Sequence, residues 1–187
     1  MVVDQNFLRV KKYFLLIFFF FLFASKSYSN NYIFTKIIEL EKPWGSSFIN
    51  NNEIIITEKS GKIKIVNIVS KGVLEIKHNL NFLEVGQGGL LDIIHQDNTL
   101  WISYSENRGD SKTSTSIAKA ILNKQELNFK NIFQANPPID SGYHFGSRLV
   151  IKGNYLFASA GERGQGMIAQ DTTSHPGSII RIHLDGS

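Results

Sequence analysis

Residues 53–66 read EIIITEKSGKIKIV, and this stretch carries the unit from which the fold is predicted. Glu53–Glu58 is rich in β-branched residues, Lys59–Gly61 is a turn signal, and Lys62–Val66 alternates polar with apolar side chains. Alternation with a period of two is typical of a half-buried strand, and a short glycine-containing turn joins two such strands. The stretch therefore predicts a β-hairpin.

The same hairpin pattern recurs twice along the chain. Strands are predicted on both sides of the turn His95–Asn98 and again on both sides of the turn Lys152–Asn154. A glutamate accompanies each unit, at Glu58, Glu106 and Glu162, with spacings of 48 and 56 residues. Short strands with a repeat near fifty residues are typical of four-stranded propeller blades. We predict an all-β chain with a β-propeller fold; a β-sandwich is the alternative, and it leaves the repeated glutamates unexplained.

Further strands are predicted outside these hairpins. Ser116–Leu122 and Glu126–Phe129 are interpreted as a strand pair around the turn Asn123–Gln125, and Ser178–His183 as a last strand before the turn signal Asp185-Gly186. After the first 29 residues, no stretch shows the 3.6-residue period of an amphipathic helix.

The N-terminal segment has the layout of a secretory leader. Arg9–Lys12 is basic, Tyr13–Ala24 is an unbroken run of twelve apolar residues, and small residues follow before Asn30. A membrane-spanning helix needs about twenty apolar residues, so no stable membrane span is expected. We predict a signal peptide over residues 1–29 and a periplasmic or secreted protein, with an uncleaved anchor as the alternative.

Removing the predicted leader changes the charge balance. Residues 30–187 contain sixteen Lys and Arg against fifteen Asp and Glu, a net charge of +1 instead of +4. This balance gives no reason to expect a nucleic-acid partner. The chain has no cysteine, so neither a disulfide nor a lipoprotein anchor is available and its stability must come from packing.

The length of residues 30–187 predicts an incomplete propeller. Roughly forty to fifty residues make one blade, so this segment is expected to supply about three blades. Propellers close with about four to eight blades. We therefore expect the chain to be a truncated form whose exposed blade edges favour self-association.

Three glycine-punctuated clusters carry the residues suited to chemistry. The first is Gly86–Gly89 with Gln87 at its centre, and the second is Gly142–Arg148 with His144. The third is Gly161–Gly166, which contains Glu162 and Arg163, predicted to pair with each other or with nearby loops. Histidine is the side chain best matched to proton transfer near neutral pH, and glycines allow a close approach of backbone to ligand. An ordinary structural role in a loop stays open for each cluster.

Two other kinds of site find little support. His144, Asp171 and His175 could share a metal, yet no spacing among them is diagnostic, and no metal ligand is predicted in this chain. A serine nucleophile would need the Gly-x-Ser-x-Gly elbow, which the sequence lacks.

The order of the motifs resembles a known family. The chain carries, in sequence, Pro43-Trp44-Gly45, Thr57-Glu58-Lys59, Gly86-Gln87-Gly88-Gly89, Tyr104-Ser105-Glu106, His144-Phe145-Gly146-Ser147-Arg148, Gly161-Glu162-Arg163-Gly164, Ala169-Gln170-Asp171 and Ser174-His175. This run, over residues 40–187, resembles the N-terminal half of the soluble aldose (glucose/sorbosone-type) sugar dehydrogenases that depend on pyrroloquinoline quinone (PQQ).

The resemblance implies a fold, a reaction and site residues. It implies a six-bladed propeller that binds PQQ and calcium and oxidises the anomeric carbon of an aldose to a lactone by hydride transfer to PQQ. It places the general base at His144 and a cofactor-binding amide at Gln87, with Arg163 as a wall of the site. Residues 30–187 would then be the N-terminal part of such a propeller.

The same resemblance limits what this chain supplies. Most cations that hold PQQ, and the calcium ligands, are expected in the second half of the propeller, outside this chain. Tyr143 replaces an acidic residue that some relatives have beside the histidine. The sequence names neither the sugar nor the electron acceptor. Two alternatives stay open: a non-catalytic propeller fragment and a carbohydrate-binding β-module without redox chemistry.

Overall fold

The computed structural model describes residues 32–187, and within them the chain forms twelve β-strands and one short 3₁₀ helix at Gly166–Gln170. The strands are β1 (Pro43–Phe48), β2 (Glu53–Glu58), β3 (Ile63–Asn67), β4 (Val73–His78), β5 (Leu90–Gln96), β6 (Thr99–Asn107), β7 (Thr113–Ile121), β8 (Glu126–Leu127), β9 (Lys130–Gln134), β10 (Gly146–Lys152), β11 (Tyr155–Ala160) and β12 (Ser178–His183). The predicted signal peptide, residues 1–29, lies outside the described residues. All twelve strands lie in one compact unit, Lys36–Ser187.

Three sheets follow one another along this unit. The first has the order β1-β2-β3-β4, the second β5-β6-β7-β9 and the third β10-β11-β12, and neighbouring strands in these orders are antiparallel. The first strands lie side by side, with β1 next to β5 and β5 next to β10. Successive meandering sheets that meet at their first strands are arranged as propeller blades are.

Two apolar clusters fill the spaces between the sheets. The larger lies between the first and second sheets and includes Ile55, Ile63, Leu90 and Ile102, all fully buried. The smaller lies between the second and third sheets around Trp101, Ile117, Leu149, Leu156 and Ile180. Each cluster takes alternate residues from its strands, as the period-two patterns predict.

The three predicted hairpins are confirmed. They correspond to the pairs β2–β3, β5–β6 and β10–β11, and Ser178–His183 forms β12 against β11. Strands β1, β4 and β9 were not predicted. In β1, Pro43 and Gly45 look like turn residues, and the register with β2 shifts between Pro43 and Ser46, so the regular alternation is broken.

The predicted pairing of Ser116–Leu122 with Glu126–Phe129 is wrong. β7 pairs instead with β9, and β8 adds to the first sheet in parallel with β4. The reason is burial: Leu127 and Phe129 enter the apolar cluster between the first two sheets. Asn79 holds the segment there, since its side chain donates to the Phe129 carbonyl (3.1 Å) and accepts from the Phe129 amide (2.8 Å).

Buried side chains join the sheets at their shared inner edge. Thr57 of β2 accepts from the Gly45 amide (2.9 Å) and donates to the Leu91 carbonyl of β5 (2.5 Å). Asp92 of β5 accepts from the Leu149 amide of β10 at 2.8 Å, and from the Ile93 amide at 3.0 Å. Since buried backbone groups need partners, these bonds fix the position of one sheet against the next.

Among residues 32–187, no helix has the length and apolar character that crossing a membrane requires.

Replacing Asp92 with alanine should destabilise the fold strongly. The change leaves the Leu149 and Ile93 amides without their acceptor, and each buried unpaired donor costs about 1–3 kcal/mol. We expect the free energy of unfolding, measured by urea denaturation, to fall by about 2–4 kcal/mol. Glu75→Ala on β4, where the side chain is exposed, is the control and should change it by less than about 0.5 kcal/mol. Equal effects of the two changes would show that Asp92 does not join the sheets.

Candidate functional site

Three loops meet at one end of the sheets. They are the β4–β5 loop (residues 79–89), the β9–β10 loop (135–145) and the β11–β12 loop (161–177). Hydrogen bonds link them: the Gln87 amide donates to the Gly142 carbonyl (2.7 Å), and the Gly161 amide donates to the Phe145 carbonyl (3.2 Å). The three clusters that the sequence singles out are therefore neighbours in space.

Glycine at two positions makes this close contact between loops possible. A Cβ atom at Gly161 would lie 1.9 Å from the His144 carbonyl oxygen, and one at Gly86 would lie 2.4 Å from the Gly142 carbonyl oxygen. Gly86 also has φ +53°, a left-handed conformation that other residues adopt at a cost. Larger residues at these positions would push apart the loops that carry Gln87 and His144.

Gln87 and His144 are in direct contact. The side-chain oxygen of Gln87 accepts a hydrogen bond from the His144 backbone amide at 2.8 Å. This bond uses the oxygen of the Gln87 amide and leaves its NH₂ group as a donor. The two residues predicted for the site thus lie together, and one helps to hold the backbone of the other.

The His144 ring is fixed by Glu162. Its Nδ1 bonds Oε1 of Glu162, while the side chain of His144 remains 53 % exposed. That hydrogen bond is the largest cause of the lowered pKa of Glu162, and backbone amides, including that of Gly164, lower it further. Glu162 is therefore an ionised acceptor and Nδ1 of His144 is the donor, so in the neutral ring the lone pair is on Nε2.

Glu162 was not predicted as a site residue. The sequence marked it as the third of the recurring glutamates and as a member of the third glycine cluster, with Arg163 or a nearby loop as its predicted partner; the loop of His144 is that partner. Its two counterparts among the recurring glutamates have different surroundings. Glu58 is fully buried and paired with Lys64 at 2.9 Å, and buried Glu106 accepts from Gln134 at 2.7 Å. The side chain of Glu162 is 28 % exposed at the loop end. Recurrence in the sequence therefore located Glu162 but did not indicate its partner.

Arg163 lies beneath the loop that carries His144. It is 2 % exposed, and its guanidinium donates to the carbonyls of Tyr143 (2.9 Å), Thr113 (3.1 Å) and Ser141 and to the Thr113 hydroxyl (2.7 Å). Burial lowers its pKa to about 10, so it remains a cation near neutral pH. The prediction that Arg163 forms a wall of a cofactor site stays a prediction.

Asp171 and His175 do not join His144. Asp171 accepts from the amide and hydroxyl of Thr173, and Nδ1 of His175 accepts from the Asn136 amide at 2.9 Å. Within residues 32–187 no three histidine, aspartate or glutamate side chains are grouped so as to hold a metal ion. Arg148 pairs with Asp92, with its Nε 3.5 Å from Oδ2 of that residue.

The family of the chain follows from a comparison with known proteins. The model of the glucose/sorbosone dehydrogenase family matches residues 40–187. The chain belongs to the glucose/sorbosone dehydrogenase family. This confirms the resemblance drawn from the order of the motifs.

Individual relatives agree with this family. Aldose sugar dehydrogenase YliI of Escherichia coli (strain K12) is 31 % identical over 164 residues, which cover 79 % of this chain and 43 % of that protein. The crystal structure of the soluble aldose sugar dehydrogenase from Escherichia coli in the apo-form has 31 % identity and a TM-score of 0.73, over 79 % of this chain and 46 % of that one. The chain thus spans less than half the length of these relatives.

A more distant structure shows the same fold. The PQQ-bound form of aldose sugar dehydrogenase from Streptomyces coelicolor matches with 22 % identity and a TM-score of 0.69, over 79 % of this chain and 46 % of that one. Together with the three meandering sheets, these similarities confirm the predicted all-β fold of propeller type.

The pairing of His144 with Glu162 predicts how the carboxyl group titrates. The pKa of Glu162 lies below its ordinary value of 4.5, so the stability contributed by the pair is present above pH 4.5 and is lost as the pH falls through the lowered pKa. Carbon-13 NMR of the Glu162 carboxyl should give a midpoint below that of free glutamate. His144→Ala should raise this midpoint, since it removes the largest cause of the shift.

His183→Ala is the matched control for this titration. His183 is an exposed residue of β12, and its ring packs against Tyr155 instead of the site. Its replacement should leave the Glu162 midpoint unchanged. An unchanged midpoint in His144→Ala would contradict the assigned hydrogen bond.

Proposed function

We propose that residues 30–187 are the N-terminal part of a PQQ-dependent aldose dehydrogenase in which His144 is the general base. The observation that carries this proposal is the hydrogen bond between Nδ1 of His144 and Glu162. It fixes the tautomer in which Nε2 can accept a proton, on a ring that is 53 % exposed at the loop end. Family membership supplies the substrate class, an aldose sugar.

The residues of the chain account for the proton transfer. Nε2 of His144 takes the proton from the hydroxyl on the anomeric carbon, which makes the C1–H bond a better hydride donor. The positive charge that forms on the imidazole is stabilised by the adjacent Glu162 carboxylate. When bound, PQQ would supply the acceptor for the hydride that leaves C1, and the sugar would be released as a lactone.

The donors present fit PQQ, which carries three carboxylates. Gln87 would hold the cofactor through its NH₂ group, because its oxygen is already bonded to the His144 amide. Lys59 adds a cation beside Gln87, with Nζ bonded to the Gly86 carbonyl. The remaining cations and the calcium ligands would come from chain beyond these residues.

The proposal extends to architecture and location. The complete protein would be a six-bladed propeller, of which the three sheets described here are the first blades. The basic and apolar pattern of residues 1–29 supports export to the periplasm or the medium. An external electron acceptor would then take the electrons from the reduced cofactor.

The enzymatic proposal is tested by reconstitution. The chain and a longer parent that contains it should be mixed with PQQ, calcium and a panel of aldoses, and dye reduction followed. We expect PQQ-dependent turnover from the longer protein and a loss of about 10²–10⁴ in kcat for His144→Ala, the range for a general base. His183→Ala should keep the wild-type rate.

Absence of PQQ-dependent turnover from the longer protein would overturn the enzymatic proposal. Sugar binding that is indifferent to PQQ would support the carbohydrate-binding module instead.

A second candidate function, a non-catalytic and self-associating fragment, is favoured by the outer faces of the end sheets. On the third sheet Val150 is 53 % and Ile179 72 % exposed, and on the first sheet Trp44 is 52 % and Phe48 59 % exposed. Sheets of a propeller normally bury both faces against their neighbours. Two copies with three sheets each would cover these faces and close one ring.

Light scattering tests the association. The chain without residues 1–29 should have twice the monomer mass, and Ile179→Lys should shift it to the monomer because it places a charge in the apolar contact. Met167→Lys is the control, since Met167 is equally exposed (77 %) but lies in the short 3₁₀ helix instead of on a sheet face. A monomeric wild-type chain would rule out the self-associating fragment.

A further inference from the structure

The loop segments around His144 have unusual backbone conformations. His144, Ser147 and Arg163 all have positive φ values, of 49°, 76° and 59°, although none of them is glycine. Residues other than glycine adopt this region at a cost of about 1–3 kcal/mol, so surrounding contacts must enforce it. The structure shows which side chain supplies those contacts.

Arg163 contacts the loop of His144 at several points. Its Nε donates to the Tyr143 carbonyl at 2.9 Å, and Nη2 bonds the Ser141 carbonyl, so two backbone positions just before His144 are held. The guanidinium carbon also lies 3.6 Å from the ring centroid of buried Phe145, the residue just after His144. The histidine is thus held on both sides by one side chain.

The same guanidinium reaches the neighbouring sheet. Nη1 donates to the Thr113 carbonyl at 3.1 Å, and Nη2 to the Thr113 hydroxyl at 2.7 Å, at the start of β7. Thr113 belongs to the second sheet, whereas Arg163 follows β11 of the third. Arg163 therefore ties the loop of His144 to strand β7 of another sheet.

We propose that Arg163 is a positioning residue that sets the orientation of His144. Two consecutive residues, Glu162 and Arg163, contact two consecutive residues of the other loop. Glu162 bonds the His144 ring, and Arg163 bonds the backbone of Tyr143. Together they would aim Nδ1 at the carboxylate and Nε2 at the open end of the loops. The catalytic meaning of this inference rests on the proposed role of His144, whereas the ordering of the loop does not.

The chemistry of the contacts explains why arginine is required. The four hydrogen bonds use all three nitrogens of one guanidinium and go to uncharged oxygens. Lysine offers a single point of charge and cannot reach all of them, and its ammonium does not stack on Phe145 as a planar guanidinium does. Burying a cation without a bonded carboxylate costs free energy. Positioning the loop of His144 is a reason why the chain keeps an arginine at position 163.

Hydrogen exchange on the chain itself gives a readout that does not depend on turnover. The His144 amide, which is bonded to Gln87, should exchange at least about tenfold faster in Arg163→Met, as expected for a more readily opened loop. Arg163→Lys should show an intermediate rate. Exchange in the buried strand β6 of each variant separates loop opening from global unfolding.

Arg181→Met is the matched control, because Arg181 is an exposed arginine that lies over the Tyr155 ring at 5.0 Å, away from the loop. In Arg181→Met the exchange rate of the His144 amide should stay within about twofold of the wild-type rate. Arg163→Gly removes the side chain while suiting the left-handed backbone. Adding methylguanidinium to this variant should restore slow exchange at His144 with little change in β6, whereas parallel changes at both places would mean that Arg163 serves only the general stability of the fold.

Activity of the longer protein completes the test. Arg163→Met should lower kcat about tenfold or more with little change in KM, and methylguanidinium should recover part of the rate in Arg163→Gly. Unchanged exchange at His144 in Arg163→Met would overturn the inference, and so would faster exchange with unchanged kcat. Faster exchange in a protein whose wild type shows no PQQ-dependent turnover would overturn the enzymatic proposal and leave the positioning of the loop intact.

Discussion

The hydrogen bonds of Asp92 and Thr57 at the inner edge of the sheets are the contacts on which the rest of the structure depends. Each is a buried side chain of one sheet bonded to the backbone of the next: Thr57 to Leu91, and Asp92 to Leu149. Apolar packing between sheets favours burial in general, but it is not directional. Directional bonds to buried backbone groups fix the register of one sheet on another. The positions of the loops at the ends of the strands follow from that register.

The candidate site is a consequence of this arrangement. Gln87 lies in the loop before β5 of the second sheet. His144 lies before β10, and Glu162 after β11, of the third sheet. Two successive sheets therefore determine where the three side chains lie. Their contacts use one backbone amide and one ring nitrogen, with glycines allowing the loops to approach. A general base gains from such a scaffold, because a fixed tautomer and a fixed direction are what proton transfer requires. The positive φ of His144 indicates that local backbone preference was overridden at this position.

Much of the fold was predictable from local patterns. The period-two alternation around Lys59–Gly61 predicted the β2–β3 hairpin, and the same pattern found β5–β6 and β10–β11. Local patterns failed where a contact between sheets decided the outcome. The segment Glu126–Phe129 looked like a hairpin partner of β7, yet burial of Leu127 in the preceding sheet draws it away. Strand β1 was missed because Pro43 and Gly45 suggest a turn.

The sequence by itself determined most of the strands and the family, and it predicted His144 and Gln87 as residues of the candidate site. Side-chain alternation is a local property. The order of the motifs can be read from the sequence without knowing any distance in the fold. Only the tertiary structure assigned Glu162 as the partner of His144 and showed that Arg163 holds the loop. Glu162 lies 18 positions after His144, and Arg163 lies 50 positions after Thr113. Glu162 meets His144 because the two residues flank one hairpin, β10–β11, in which Gly146 pairs with Ala160. Arg163 meets Thr113 because separate sheets bring distant loops together, and no spacing in the sequence encodes that approach.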